Sequence, residues 1–347
     1  SRLFNQMPEY LTQAIDSPAA WKALPINTTA NTLIHLNNQQ IGELRQSANK
    51  LDSHNTTWSE CQLEDFELAS LKPVVESIRA VLEGGHGFVV VSGFPIDTSI
   101  TLTKRIFFSF GHQLGFPDPQ DAAGHLLHDI RDTGSDPLKV DDLRLYQTNR
   151  ELDFHNDGSD AFLLLCIEAA VAGGQSRLVS AITVFNEILA RRPDLARVLQ
   201  EPFPFDARGQ QVPGQPRVQT VPIYAYHEGY LNVLYKRTYI EMAQRFPEVP
   251  PLTAQQKEAI ELMSTLCETL SIEFTLRPGE LLIANNYDLL HGRPAYQDHP
   301  GTPENRRHML RLWLSLPNGR PLPPHFKNTR EFCHSFARRQ DLNRSHP

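Results

Sequence analysis

Phe154-His155-Asn156-Asp157 sets an imidazole and a carboxylate two positions apart. On an extended or turning backbone both side chains can reach one metal ion. Alone the pair weighs little, because 14 × 40/347 ≈ 1.6 such spacings are expected by chance from 14 histidines and 40 acids, and one occurs. A third ligand has to be a distant histidine. His291 has the best context, in Asn285-Asn286-Tyr287-Asp288-Leu289-Leu290-His291-Gly292-Arg293. It is expected just after a strand pair and before a glycine, where the backbone can bend close to a site. Two histidines and one carboxylate on one face of a metal are the ligand set of iron(II) centres that activate dioxygen, with the opposite positions left open.

A second pattern points to an anion beside that metal. In Asn305-Arg306-Arg307-His308-Met309-Leu310-Arg311-Leu312-Trp313-Leu314, strand alternation puts Arg307, Met309, Arg311 and Trp313 on one face. His308, Leu310, Leu312 and Leu314 take the other, which reads as core. The first face then carries two guanidinium groups inside the fold, and buried arginines need anionic partners. A guanidinium matches a carboxylate with two parallel hydrogen bonds, so a dicarboxylate would satisfy both.

The elements that must position these residues follow from periodicity. Helices are predicted over residues 39–51, 65–82, 103–114 and 253–271, with another over 184–199 that restarts at Pro193. Strands are predicted over 87–93, 143–148, 161–168, 177–181, 272–276, 281–285 and 308–316, and a hairpin of 218–226 with 230–235. Residues 116–140 and 202–216 are rich in proline and glycine and read as loops, and 116–140 and 202–218 are candidate lids over a site. Trp21 is a candidate anchor for an N-terminal arm. Helices early, strands later and a helical stretch between them suit an antiparallel β-sandwich such as a jelly roll with buttressing helices. No GxGxxG follows a strand and no P-loop pattern is present.

Composition narrows the class further. Hydrophobic residues make up 40% and charged residues 21%, with a net charge of -7. No basic footprint points to nucleic acid, and no apolar run is long enough to span a bilayer. The four cysteines (Cys61, Cys166, Cys267, Cys333) show no CxxC spacing, and Cys166 reads as core packing. A cytoplasmic protein without a nucleic-acid or membrane partner is expected, and homo-oligomer formation is left open.

Taken in order, His155-Asn156-Asp157, the turn Gly173-Gly174-Gln175-Ser176, His291-Gly292-Arg293 and the Arg307/Arg311 strand resemble the iron(II)/2-oxoglutarate dioxygenases, in their taurine dioxygenase and clavaminate synthase branch. The resemblance runs from about Gly85 to Leu316. It implies an α+β, mainly β fold, a double-stranded β-helix (cupin-like jelly roll). Residues 1–84 would pack on a catalytic unit of 85–347 carrying an insertion at about 184–270. It implies His155, Asp157 and His291 as iron ligands, Arg307 with Ser176 on the distal carboxylate of 2-oxoglutarate, and Arg311 near its C1 carboxylate or the substrate. Fe(II), 2-oxoglutarate and O2 are the implied cofactors, and hydroxylation of a C–H bond in a small molecule is the implied reaction. An aspartate at 157 fits a hydroxylase rather than a halogenase, which gives up that ligand. Tyr146, Gln147, Gln120 and Asn156 are the candidate substrate residues, with His125 and His128 as further loop histidines. The alternatives are a metal-binding jelly roll without turnover and a peptide or protein hydroxylase.

Overall fold

The computed structural model describes residues 10–22, 33–53, 68–96, 99–133, 145–301 and 306–345. In chain order, β1 (Leu33–His35) and α1 (Asn38–Ser53) precede α2 (Lys72–Gly84), β2 (Phe88–Ser92) and α3 (Ile100–Leu114). Next come β3 (Phe116–Pro117), β4 (Leu127–Ile130), β5 (Leu152–His155), β6 (Ala161–Glu168), β7 (Ala172–Gly173) and β8 (Ser176–Ser180). The middle of the chain holds α4 (Ala181–Arg191), α5 (Pro193–Val198), β9 (Pro202–Asp206), β10 (Val218–Pro222), β11 (Tyr224–His227), β12 (Tyr230–Val233), α6 (Arg237–Ala243) and α7 (Ala254–Leu270). The last part is β13 (Ile272–Phe274), β14 (Leu281–Asn285), β15 (Leu289–Arg293), β16 (Tyr296–Gln297), β17 (His308–Ser315) and α8 (Cys333–Ser345).

Two sheets make the jelly roll. The larger runs β1-β2-β14-β6-β17-β3, with β4 also on β17, and the smaller runs β13-β8-β15-β5. Phe88, Phe162, Leu282 and Met309 of the larger sheet meet Leu178 and Leu289 of the smaller one in the layer between them. The predicted alternation of β17 is what places Arg311, and Arg307 immediately precedes the strand. Leu310, Leu312 and Leu314 face outward into a core shared with α1, α2 and α3, while Met309 and Trp313 face inward. The middle of the chain covers the other side: α4, α5 and α7 pack with Val179 and Leu290 on the outer face of the smaller sheet. Thr253 and Gln256 close a reciprocal capping box at the start of α7, satisfying two backbone N–H groups. Trp21 does anchor the N-terminal arm, donating its Nε1 proton to His86 O at 2.9 Å and packing edge-on to Phe88.

Several expectations need correction. Residues 145–147 form a 3-10 turn rather than a strand, with 143–144 outside the described residues. The helix predicted over 65–82 occupies Lys72–Gly84, because Pro73 fits its first turn; residues 65–67 lie outside the described set. Stretch 116–133 is not all loop: β3 and β4 pair with β17, extending the larger sheet. Residues 134–140 lie outside the described set. Pro202–Asp206 is a strand paired with β10, so the hairpin around Glu228-Gly229 is the shorter β11–β12. Proline is tolerated there because β9 and β10 form an isolated two-stranded ribbon, where few ladder hydrogen bonds are forfeited. Cys166 and Cys267 are buried free thiols; Cys61 lies outside the described residues.

A buried charge cluster joins the C-terminal segment to the sheets. Arg320 Nη2 donates to Asp288 Oδ2 at 2.8 Å and sits 3.6 Å from Glu83, and Arg339 grips Asp160 with two hydrogen bonds of 2.7 and 2.8 Å. Burial pushes the Glu83 carboxyl up to about 7; Arg320 partly offsets this, and Asp288 and Asp160 add to it. A carboxyl raised on folding is costly once ionised, so its contribution to stability is lost as pH rises from about 4.5 through 7. Glu83→Gln is therefore expected to be about 1–3 kcal/mol more stable than wild type in urea melts at pH 8, with the two converging near pH 4. Equal stability at pH 8 would show that the ionised carboxylate costs nothing there.

Candidate active site

The smaller sheet brings the two histidines together. β5 and β15 are antiparallel neighbours whose register sets His291 opposite His155. The register then shifts, with Arg293 opposite Leu152, so that two residues of β5 face Gly292 alone. A Cβ on Gly292 would meet Leu152 O at 2.6 Å, so only glycine permits this approach. His291 thus lies within a strand, not after one. Asp157 follows β5 by two residues and turns back toward both rings. His155 Nε2 stands 3.7 Å from Asp157 Oδ1, and His291 Nε2 stands 3.6 Å from Oδ2. One donor atom of each residue lies within 4.8 Å of the others.

Protonation states follow from the surroundings. His155 Nδ1 donates to Asp153 O at 2.7 Å, which fixes the proton there and leaves the Nε2 lone pair facing Asp157. Burial depresses the His155 pKa. Burial, and then the charge of His155, takes His291 down to about 3. Burial opposes the Asp157 charge, but Arg311 and the two histidines outweigh it and hold that carboxyl well below the usual range. Two neutral imidazoles and one carboxylate are the forms that ligate a divalent metal. Asp157 Oδ2 and His291 Nδ1 are also buried with no hydrogen-bond partner among the described residues. A buried carboxylate oxygen without a donor costs free energy unless a ligand completes it, so the donor set fits an iron(II) ion.

Two cavities meet at this trio. One is lined by His291, Arg293, Ser176, Arg307 and Arg311, with Phe162 and Leu282 as apolar walls. The other is lined by Tyr146, Lys236, Arg311, Trp313 and Arg330. His155 and Asp157 border both. Arg307 is 3% exposed and lies against Gly174, where an added Cβ would come 3.1 Å from its Nε. Arg311 is held in place by Gln120, whose Oε1 accepts from Nε at 2.8 Å, and its Nη1 stands 3.5 Å from Asp157 Oδ1. Trp313 reaches the cleft across Gly158, where a Cβ would come 2.5 Å from its ring.

The candidate substrate residues divide. Tyr146 lines both cavities, with its ring over the Arg311 guanidinium at 4.6 Å. Gln120 is fully buried behind Arg311 and serves as its hydrogen-bond partner rather than as cavity wall. Asn156 points away: its Nδ2 donates to Val233 O at 2.8 Å and its Oδ1 accepts from Tyr235 N at 2.9 Å, so it ties β5 to the chain after β12. Gln147 borders neither cavity, and its carbonyl accepts from Thr133. His125 and His128 both bond to Asp121 Oδ2, at 2.8 and 2.7 Å, and His128 Nδ1 lies 2.8 Å from Tyr146 Oη. Since a carboxylate only accepts, His128 Nε2 is the donor, and in the neutral ring Nδ1 accepts from the phenol. This chain fixes the Tyr146 ring at the cavity wall.

Sequence reasoning overlooked Lys236, Arg330 and the cavity-facing position of Arg293. Lys236 forms a β-bridge with His155, and its ammonium donates to Glu331 Oε1 at 3.2 Å. Arg330 lies over Trp313 and donates to Gln120 O at 2.9 Å. Nothing in their local sequence marks either residue. Arg293 could have been found, since it stands two residues after His291 on one strand and so shares its face.

The sequence model of the family described as Taurine catabolism dioxygenase TauD, TfdA family matches residues 48–313. FR-33289 synthase of Streptomyces rubellomurinus (strain ATCC 31215) is 26% identical over 322 residues, covering 91% of this chain and 95% of its own. Asparagine oxygenase, solved in complex with Fe(II), 2S,3S-3-hydroxyasparagine and succinate, superposes with a TM-score of 0.62 at 17% identity, covering 82% of this chain and 93% of that one. The non-heme iron oxygenase OrfP, solved with Fe and alpha-ketoglutaric acid, gives 0.61 at 16% identity, covering 82% and 94%. These two structures share the jelly roll. The matched span takes in β5, β15 and most of β17, with the residues of the cavity between them, and the chain belongs to the Taurine catabolism dioxygenase TauD, TfdA family of iron(II)/2-oxoglutarate-dependent dioxygenases.

Proposed function

We propose that His155, Asp157 and His291 hold the iron(II), that the arginine-lined cavity receives 2-oxoglutarate, and that the neighbouring cleft receives a small organic substrate for hydroxylation. The observation that carries this reading is the orphaned Asp157 Oδ2, buried between two neutral imidazoles. When bound there, iron(II) with 2-oxoglutarate and dioxygen supplies the oxidising power that converts a substrate C–H to C–OH, with release of succinate and carbon dioxide. The chain's own residues bind and orient. Asp153 O keeps the His155 proton on Nδ1, so that Nε2 is the ligating atom. Arg307, with Ser176 in the same cavity, takes the distal carboxylate. Arg311, fixed by Gln120, faces the metal end of the cosubstrate. Phe162 packs against His291 with centroids 4.1 Å apart and the rings tilted by 31°, and, with Leu282, keeps water from that side. On the cleft wall Lys236 and Arg330 converge on Glu331.

Anaerobic titration of the purified protein with iron(II) and then 2-oxoglutarate tests the centre. A weak visible charge-transfer band that saturates at one equivalent of each is expected. Its absence at saturating cosubstrate rules out chelation at this centre.

A further inference from the structure

We infer that Arg293 is a second clamp on the distal carboxylate of 2-oxoglutarate, reaching it from the smaller sheet while Arg307 reaches it from the larger one. This rests on the reading of the arginine-lined cavity as the cosubstrate chamber. Strand geometry makes the placement. His291 and Arg293 are alternate residues of β15 and point to the same face, so the chain that supplies an iron ligand also supplies a guanidinium to the same chamber. Arg307 enters from the start of β17, in the facing sheet. Both guanidiniums lie over one ring, that of Tyr296, at 4.8 Å for Arg293 and 4.9 Å for Arg307.

Among the described residues neither charge meets an anion. Arg293 is 4% exposed and spends one nitrogen on Thr148 O, at 2.7 Å. Its Nε and Nη1 are buried with no hydrogen-bond partner, as is Nη1 of Arg307. Among the described residues no carboxylate comes within ion-pair distance of either; Asp132 and Asp298 act on Arg293 only from farther away. Two like charges buried in the lining of one cavity, with donors left open, are unfavourable until an anion enters. A single carboxylate at the end of a dicarboxylic acid accepts from both. The pairing selects for chain length as well as charge, since a keto acid without the second carboxylate leaves both arginines uncompensated.

The test uses the full chain with manganese(II) under anaerobic conditions. Calorimetry compares 2-oxoglutarate with 2-oxobutyrate, which has the same keto-acid head and no distal carboxylate. Thermal melts without ligand are run alongside. Arg293→Met is expected to weaken 2-oxoglutarate by about tenfold or more, to leave 2-oxobutyrate unchanged, and to melt no lower than wild type, because an uncompensated charge has been removed. Arg293→Lys, which keeps the charge, should retain part of the preference and guards against misfolding. If Arg293→Met weakens both keto acids alike and melts lower, the residue only anchors Thr148. If the variant keeps the wild-type preference, the clamp is Arg307 alone. Either result overturns the inference and leaves the chamber's assignment standing. Wild-type protein that binds both keto acids equally overturns the chamber's assignment and this inference with it.

Discussion

Asp157→Ala is expected to reduce succinate production below about 1% of wild type and to weaken iron(II) by more than about 100-fold, since loss of a residue that merely supports a ligand already costs about 10–100-fold. The expectation rests on three features of the carboxylate. It is ionised at neutral pH, because nearby positive charge, Arg311 foremost, outweighs burial. It lies between the two Nε2 atoms rather than beside one of them. One of its oxygens is buried with nothing to accept from. Equilibrium dialysis against iron(II) under anaerobic conditions reads the affinity directly, and mass spectrometry reads succinate. Asp121→Ala supplies the contrast, because Asp121, His125 and His128 form the other histidine-carboxylate group among the described residues. That variant should keep the iron affinity. If Asp121→Ala loses the metal and Asp157→Ala keeps it, the centre has been placed on the wrong side of Tyr146.

Arg307→Met is expected to raise the 2-oxoglutarate dissociation constant by about 100-fold, the loss expected when one partner of a buried charge pair is truncated. The side chain is almost wholly buried, Gly174 lets it lie flush against the turn, and its Nη1 is held open. Iron affinity should be unaffected, since Arg307 reaches the far end of the chamber and not the three ligands. A variant with an unchanged 2-oxoglutarate constant would transfer the distal carboxylate to Arg293 or Arg311. A variant that also loses iron would mean that the strand itself has moved.

Legibility in the sequence followed periodicity. The alternation of β17 assigned its faces before any coordinates, because a period of two leaves each residue only two choices. The same rule applied to β15 would have placed Arg293 beside His291, but His291 is expected after the strand pair rather than within a strand. Asn156 and Gln120 misled for a different reason. Polar residues next to a motif look like ligand contacts, yet both are consumed by hydrogen bonds to main chain and to Arg311. Lys236 and Arg330 could not be read at all. They reach the cleft through a bridge to β5 and a C-terminal segment that folds back over Trp313, contacts fixed by tertiary packing alone. The short β3 and β4 were also hidden, because Pro117, Pro119 and Gly124 signal loop while pairing with β17 makes strand.

The pairing of His155 with His291 has a mechanical side. β5 is four residues long and forms the edge of the smaller sheet, the position from which a strand most easily frays. With iron held as proposed, the metal bridges that edge to its neighbour and acts as a cross-strand rivet. Iron departure and peeling of β5 then become one coupled event. A chelator would attack the architecture as much as the chemistry, and a tightly fitting 2-oxoglutarate would protect both.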